Sequence, residues 1–226
     1  MNDSSQSPPI NPTLAILIGI LAVSTSSILI RFAQQEANSL VIAAYRLGLA
    51  TLVLTPFVIW KHGSEIKSLK RRDWGLATLS AAFLTLHFIT WVSSLEYTTV
   101  ASSVVLVQTT PLWVALAAPL VLREPVTKAV IVGLAVALAG SVIVGLSDSC
   151  AQSAGGLSCP PLAEFVRGEA FIGDLLALGG ALGGAGYLLV GRDLRQRTSL
   201  VAYIYLVYGI TAVALIIIAL ASGQQM

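Results

Sequence analysis

Arg46 is a basic residue lying well inside an apolar run, 40-LVIAAYRLGLATLVLTPFVIW-60. A guanidinium stays charged and offers five donors in a fixed fork, so in such surroundings it suits a carboxylate or a similar anion. Polar side chains interrupt the neighbouring apolar runs as well. His87 lies in the run 74–94, Gln108 in the run 100–122, and the hydroxyls of 24-STSS-27, Ser26 among them, in the first run. Imidazole titrates near neutral pH, and a primary amide both donates and accepts. His87, Trp91 and Ser94 follow one another at i, i+4 and i+7, which is one helical face. Trp91 therefore joins the set, with an interfacial anchor as the alternative. Tyr208, near the middle of the last run, adds a phenol. Arg46, His87, Gln108, Trp91, Ser26 and Tyr208 form the candidate substrate-binding set. For Arg46 the competing reading is a side chain that snorkels to the membrane surface.

The elements that must position these groups follow from composition. The chain has 226 residues, 56% of them hydrophobic and 11% charged, against about 25% charged in a soluble domain. Crossing the hydrocarbon takes about 20 mostly apolar residues, and seven runs meet or nearly meet that need. They are Leu14–Phe32, Leu40–Trp60, Trp74–Ser94, Val100–Leu122, Ala129–Leu146, Gly173–Gly191 and Leu200–Ala221. The expected fold is an all-α membrane protein of about seven transmembrane helices. Residues 1–12, polar and proline-rich, read as a disordered tail. They have no basic stretch, and the run that follows is too long for a signal peptide. Counted at about 1.5 Å per residue, Arg46, His87, Gln108 and the STSS run lie roughly 8–12 Å below one membrane surface. Four helices thus bring polar groups to one layer.

Lys and Arg collect on the cytoplasmic side of membrane proteins. The connections 61-KHGSEIKSLKRRD-73, 123-REPVTK-128 and 192-RDLRQRTS-199 hold ten of the 13 Lys and Arg residues. They alternate with poorly charged connections, which places the N-terminus in the cytoplasm and residues 147–172 outside. The expected location is a bacterial plasma (inner) membrane. The 147–172 loop carries both cysteines, Cys150 and Cys159. An oxidising exterior suits a disulfide between them, two free thiols being the alternative.

Displacing the chain by 161 residues lays 14-LAILIGILAVSTSSILIRFAQQ-35 on 175-LLALGGALGGAGYLLVGRDLRQ-196, with Gly19 on Gly180, Arg31 on Arg192 and Gln35 on Gln196. A five-span unit that starts again after an odd number of crossings is inverted, as in many secondary transporters. The domains expected are a first five-helix repeat over 13–146, the external loop, and a partial second repeat over 173–226. On this reading three further spans would complete a ten-helix fold, and the chain is apparently truncated. Gly179–Gly183 and Gly180–Gly184 have the small-xxx-small spacing that lets helices approach closely.

The stretch 95-LEYTTVASSVVLVQTTPLWVALAAPLVLREPVTKAVIVGLAVALAGSVIV-144 resembles the signature region of EamA-type proteins of the drug/metabolite transporter superfamily. Pro111 and Glu124 fall on that family's proline and glutamate, and Gly133 and Gly140 on glycines of its fifth span. The Tyr45–Arg46 pair matches a basic position common in its second span. The resemblance implies two inverted five-helix repeats and movement of small metabolites. It also implies structural or gating parts for Pro111 and Glu124, joined by Gly180 and Gly184 from the close-approach motif. The alternative for Glu124 is an interfacial charge paired with Arg123 or Lys128.

The function expected is secondary transport of a small metabolite, an amino acid, organic acid or related solute, by alternating access. The competing reading is a truncated, non-transporting membrane subunit that packs against partner membrane proteins. Enzyme chemistry is not expected: there are two histidines and no GxSG or HExxH pattern. No cofactor, metal site or nucleic-acid partner is expected either. The partners are the substrate and the lipid bilayer, and a homodimer would supply surfaces that a half-carrier lacks.

Overall fold

The computed structural model describes residues 11–121, 125–147, 150–153, 156–158 and 166–224. Its helices are α1 (Pro12–Ala33), α2 (Ser39–Lys67), α3 (Arg71–Tyr97), α4 (Val100–Val107), α5 (Thr110–Val121), α6 (Lys128–Ser147), α7 (Glu169–Arg195) and α8 (Leu200–Ala221). A short antiparallel pair, β1 (Ala151–Ser153) and β2 (Gly156–Ser158), lies in the connection between α6 and α7. Six helical runs, α4 and α5 counting as one, are long and apolar enough to cross a membrane, and α6 is a shorter apolar helix. The chain is an integral membrane protein of about seven crossings. Glu124 and Cys159 lie outside the described residues; Cys150 is disulfide-bonded.

Short polar residues start several of these helices by satisfying backbone N–H groups that have no intrahelical partner. Asn11 accepts from Thr13 N at 3.0 Å, with Pro12 in the first turn. Asn38 accepts from Leu40 N at 2.9 Å, and Thr99 from Ser102 N at 3.1 Å. Asp73, in the first turn of α3, reaches back to the backbone N–H of Lys70 at 2.9 Å.

Two boundaries differ from expectation. The charged segment after Trp60 is a continuation of α2, which runs through His62 and Glu65 to Lys67, so only three residues connect α2 to α3. His62 is therefore on a helix rather than in a loop. Polarity ends a membrane span but not a helix; Gly63 is accommodated within α2, and no proline lies between Trp60 and Lys67. The fourth span, by contrast, is not continuous. It breaks between Val107 and Thr110, because Pro111 has no N–H to give the carbonyl four residues back. That carbonyl, of Val107, accepts instead from the Thr110 hydroxyl at 2.8 Å.

The packed centre lies between α2, α3, α7 and α8. Leu47, Val92, Leu95, Leu194, Val207, Leu215 and Tyr203 are almost wholly buried there. Glycines let α7 close on α3. A Cβ at Gly180 would stand 2.9 Å from Trp91 Cβ, and one at Gly183 would stand 2.7 Å from the backbone N of His87. At the end of the bundle that carries the α2–α3 and α7–α8 connections, polar links tie these elements. Arg197 bridges Asp73 at 3.0 Å and Asp193 at 2.6 Å, and Arg72 reaches Asp193 at 3.0 Å. Glu65 and His62 of α2 hold Ser199, the N-cap of α8, through its hydroxyl at 2.8 and 3.0 Å.

Candidate functional site

Five helices enclose a cavity of about 200 Å³. α1 contributes Val23, Ser24 and Ser27; α2 contributes Arg46; α3 contributes His87, Phe88 and Trp91. α4 supplies Val104 and Val107, Gln108 follows as its C-cap, and Thr110 opens α5. The break in the fourth span therefore lies at the cavity wall.

Arg46 is half-buried among aromatic faces. Its Cζ is 5.5 Å from the centre of the Phe88 ring and 5.4 Å from that of Trp91, within range of attraction between a cation and a ring quadrupole. His87 stacks on Trp91 with centroids 5.6 Å apart and meets Phe88 edge-on at 5.1 Å. This layer steadies the guanidinium without neutralising it. Arg46 Nη1 is buried and has no hydrogen-bond partner, and the same is true of Trp91 Nε1. A buried donor left unpaired is costly, and two of them border one cavity.

His87 is committed differently. Its Nδ1 lies 2.7 Å from the carbonyl oxygen of Gly180. A carbonyl only accepts, so Nδ1 carries the proton and Nε2 is left to exchange one. Gly180 supplies both that acceptor and the close approach of α7 that brings it within reach. Gly184 stands in the same contact: a Cβ there would be 3.1 Å from Thr110 Oγ1 and 3.3 Å from His87 Nδ1.

The structure thus gathers Arg46, His87, Trp91 and Gln108 around one cavity. Ser26 is not part of its lining; Ser24 and the fully buried Ser27 present their hydroxyl positions instead. Tyr208 packs against the central cluster and is likewise not in the lining, although it lies within electrostatic range of Arg46. Phe88 and Thr110 are additions that the apolar pattern of the sequence did not mark. A threonine directly before Pro111 was the available signal, since its hydroxyl can serve the carbonyl that proline leaves open.

Asp174 is another. It is buried near the start of α7, and it accepts from Thr98 Oγ1 at 3.0 Å and Ser102 Oγ at 2.8 Å. It pins α7 to the corner between α3 and α4. Gly173 beside it has a matching closeness: a Cβ there would stand 2.7 Å from Thr98 Cβ.

Two other clefts, of about 290 and 370 Å³, border α5 and α6 and are lined almost wholly by apolar side chains. Their polar exceptions are occupied: Thr109 donates to Leu106 O, Ser141 to Ala137 O, and Asp174 accepts as above. Of these three, the cavity at Arg46 is the one whose lining residues include buried donors without partners, on Arg46 and Trp91. Among the described residues no cluster of His, Cys, Asp and Glu could hold a metal ion.

No curated protein and no solved structure matches the chain significantly. The family model of the EamA-like transporter family matches residues 11–146, which take in every residue that lines the cavity. The match spans more than half of the chain, and the chain belongs to the EamA-like transporter family.

Proposed function

We propose that the chain is a secondary carrier for a small metabolite bearing an anionic group, and that the cavity at Arg46 is its substrate site. The buried, unpaired Nη1 of Arg46 carries this reading. A charge that costs a few kcal/mol to place within a membrane span persists where it faces a cavity or a partner. A second support comes from the interrupted fourth span. Discontinuous helices recur at transporter substrate sites, where the positive end of a half-helix faces an anionic substrate group. The N-terminus of α5, at Thr110, stands in that relation to the cavity.

The end rich in Lys and Arg is the cytoplasmic end on this reading. Alternating access proceeds by movement of α7 and α8 against the helices of the first repeat. On this reading the bonds of Arg197, Glu65 and His62 tie the cytoplasmic ends of the helices together and must loosen when that side opens. The sequence has no ATP-binding motif, so a proton gradient or the solute gradient drives the movement.

The test is reconstitution in lipid vesicles with a panel of amino acids, organic acids and cationic drugs, with and without an imposed proton gradient. Saturable uptake is expected for an anionic member of the panel. Arg46→Lys keeps the charge but loses the planar fork, and a tenfold or greater fall in uptake with normal insertion is expected. Uptake unchanged by Arg46→Lys removes Arg46 from the substrate site. If no solute moves in any condition, the carrier reading gives way to that of a non-transporting membrane subunit.

A further inference from the structure

From the composition of the cavity wall we infer the substrate class: a small monocarboxylate with an apolar tail and no ammonium group, its two oxygens shared between Arg46 Nη1 and Trp91 Nε1. This rests on the reading of the cavity as the substrate site and goes further, because it separates organic acids from amino acids and gives Trp91 a specific part.

Three observations lead to it. First, the two residues whose buried donors lack partners line the same cavity, with Arg46 Cζ 5.4 Å from the centre of the Trp91 ring. A planar anion with two adjacent oxygens has an acceptor for each. Second, among the described residues no Asp or Glu lines the cavity. An ammonium carried in with the carboxylate would be desolvated with no opposite charge beside it, which is strongly unfavourable. Two acids on α3 and α7 are engaged elsewhere: Glu96 accepts from Ser39 at the end of α3, and Asp174 from Thr98 and Ser102. The guanidinium itself repels a second cation. Third, beside its hydroxyl, amide and imidazole groups the wall has an apolar part, Val23, Val104, Val107 and the Phe88 ring, which suits an aliphatic tail. At about 30 Å³ for each molecule of liquid water, a volume of about 200 Å³ holds only a short one. It lies below the roughly 300–1,000 Å³ usual for drug-sized ligands.

Trp91 is thus a specificity-determining residue. Its indole N–H reads the second oxygen, while its ring faces the Arg46 guanidinium. Phenylalanine in its place keeps a ring and loses the donor.

The experiment measures binding of three radiolabelled probes of one shape to the purified full chain in nanodiscs at pH 7.5. The probes are 4-methylpentanoate, leucine and 3-methylbutylamine, that is, the carboxylate alone, the zwitterion and the ammonium alone. The expected order is 4-methylpentanoate at least tenfold tighter than leucine, with no saturable binding of the amine. Trp91→Phe should weaken 4-methylpentanoate about tenfold, the scale of one hydrogen bond to a charged group, with an unchanged melting profile.

Leucine binding as tightly as 4-methylpentanoate overturns the inference, as does tighter binding of the amine. Full affinity in Trp91→Phe removes the role given to the indole. Selective binding of 4-methylpentanoate with no solute transport in vesicles would sink the carrier reading and leave this inference standing. Transport of other solutes with no binding of 4-methylpentanoate would do the reverse. Both arms with the wild-type chain remain decisive even if the Trp91→Phe protein proves unstable.

Discussion

The flank formed by α1 is more apolar in composition than the seam between α3 and α7, yet it is much the less packed. In the most apolar window of α3, as in that of α7, 44% of residues are buried, against 11% for α1. Gly173, Gly180 and Gly183 bring the seam's backbones together, whereas Gly19 of α1 has nothing within 4 Å of a would-be Cβ. Hydrophobicity does not explain the difference, because lipid tails solvate leucine as well as another helix does. Shape and polar complementarity decide it. The seam has the glycines, the His87–Gly180 bond and Asp174 on two hydroxyls. On α1, Thr25 spends its hydroxyl on its own helix, at Leu21 O and Ala22 O.

This contrast yields an ordered series of substitutions, each read by thermal unfolding in detergent. Gly183→Ala should have the largest effect. The added Cβ meets the backbone of His87 rather than a movable side-chain end, and forced overpacking costs about 1–3 kcal/mol. The same change displaces His87 and should weaken solute binding at the cavity. A wild-type melting profile would mean that the seam is looser than its spacing implies.

Asp174→Ala comes next. It leaves the hydroxyls of Thr98 and Ser102 without that acceptor, a loss of about 1–3 kcal/mol for buried groups. If Asp174→Ala melts like wild type, the α3–α4 corner is held by other means.

Arg197→Gln at the basic end should cost less than about 1 kcal/mol and should shrink further in high salt, as partly exposed ion pairs do. A large, salt-independent loss would make that network as structural as the seam. Gly19→Ala should leave the profile unchanged, and a clear destabilisation there would show that α1 is packed against something in the membrane.

What the sequence made legible follows the same division. The spans could be read because the hydrocarbon demands length and apolarity, which are one-dimensional properties. Depth could be read too: counting residues put Arg46, His87 and Gln108 at one level, and the structure sets all three on one cavity. Azimuth could not. Ser26 and Ser27 differ by a negligible depth but by about a hundred degrees around α1, so depth gave no way to choose the buried Ser27. Tyr208 shows the same gap, at a suitable height yet turned into the helix packing. Helix length was hidden for another reason. The polarity that ends the apolar run of α2 at Trp60 leaves its backbone hydrogen bonding untouched, and the helix continues. In the fourth span the run 100–122 is long enough to read as one helix despite Gln108, and the Thr110–Pro111 pair marks the break.

The three-residue connection between α2 and α3 has a practical consequence for anyone mapping this protein in a membrane. A charged stretch from 61 to 73 invites an epitope tag, a protease site or a labelling cysteine. Most of it is helix, and Glu65 and His62 are bonded to Ser199. An insertion there would pry the start of α8 from α2 and report on a damaged protein. Ser68, Leu69 and Lys70 lie between the two helices, and Ser68 and Lys70 are exposed. Labelling at those two residues is the least invasive way to learn which side of the membrane the basic end faces.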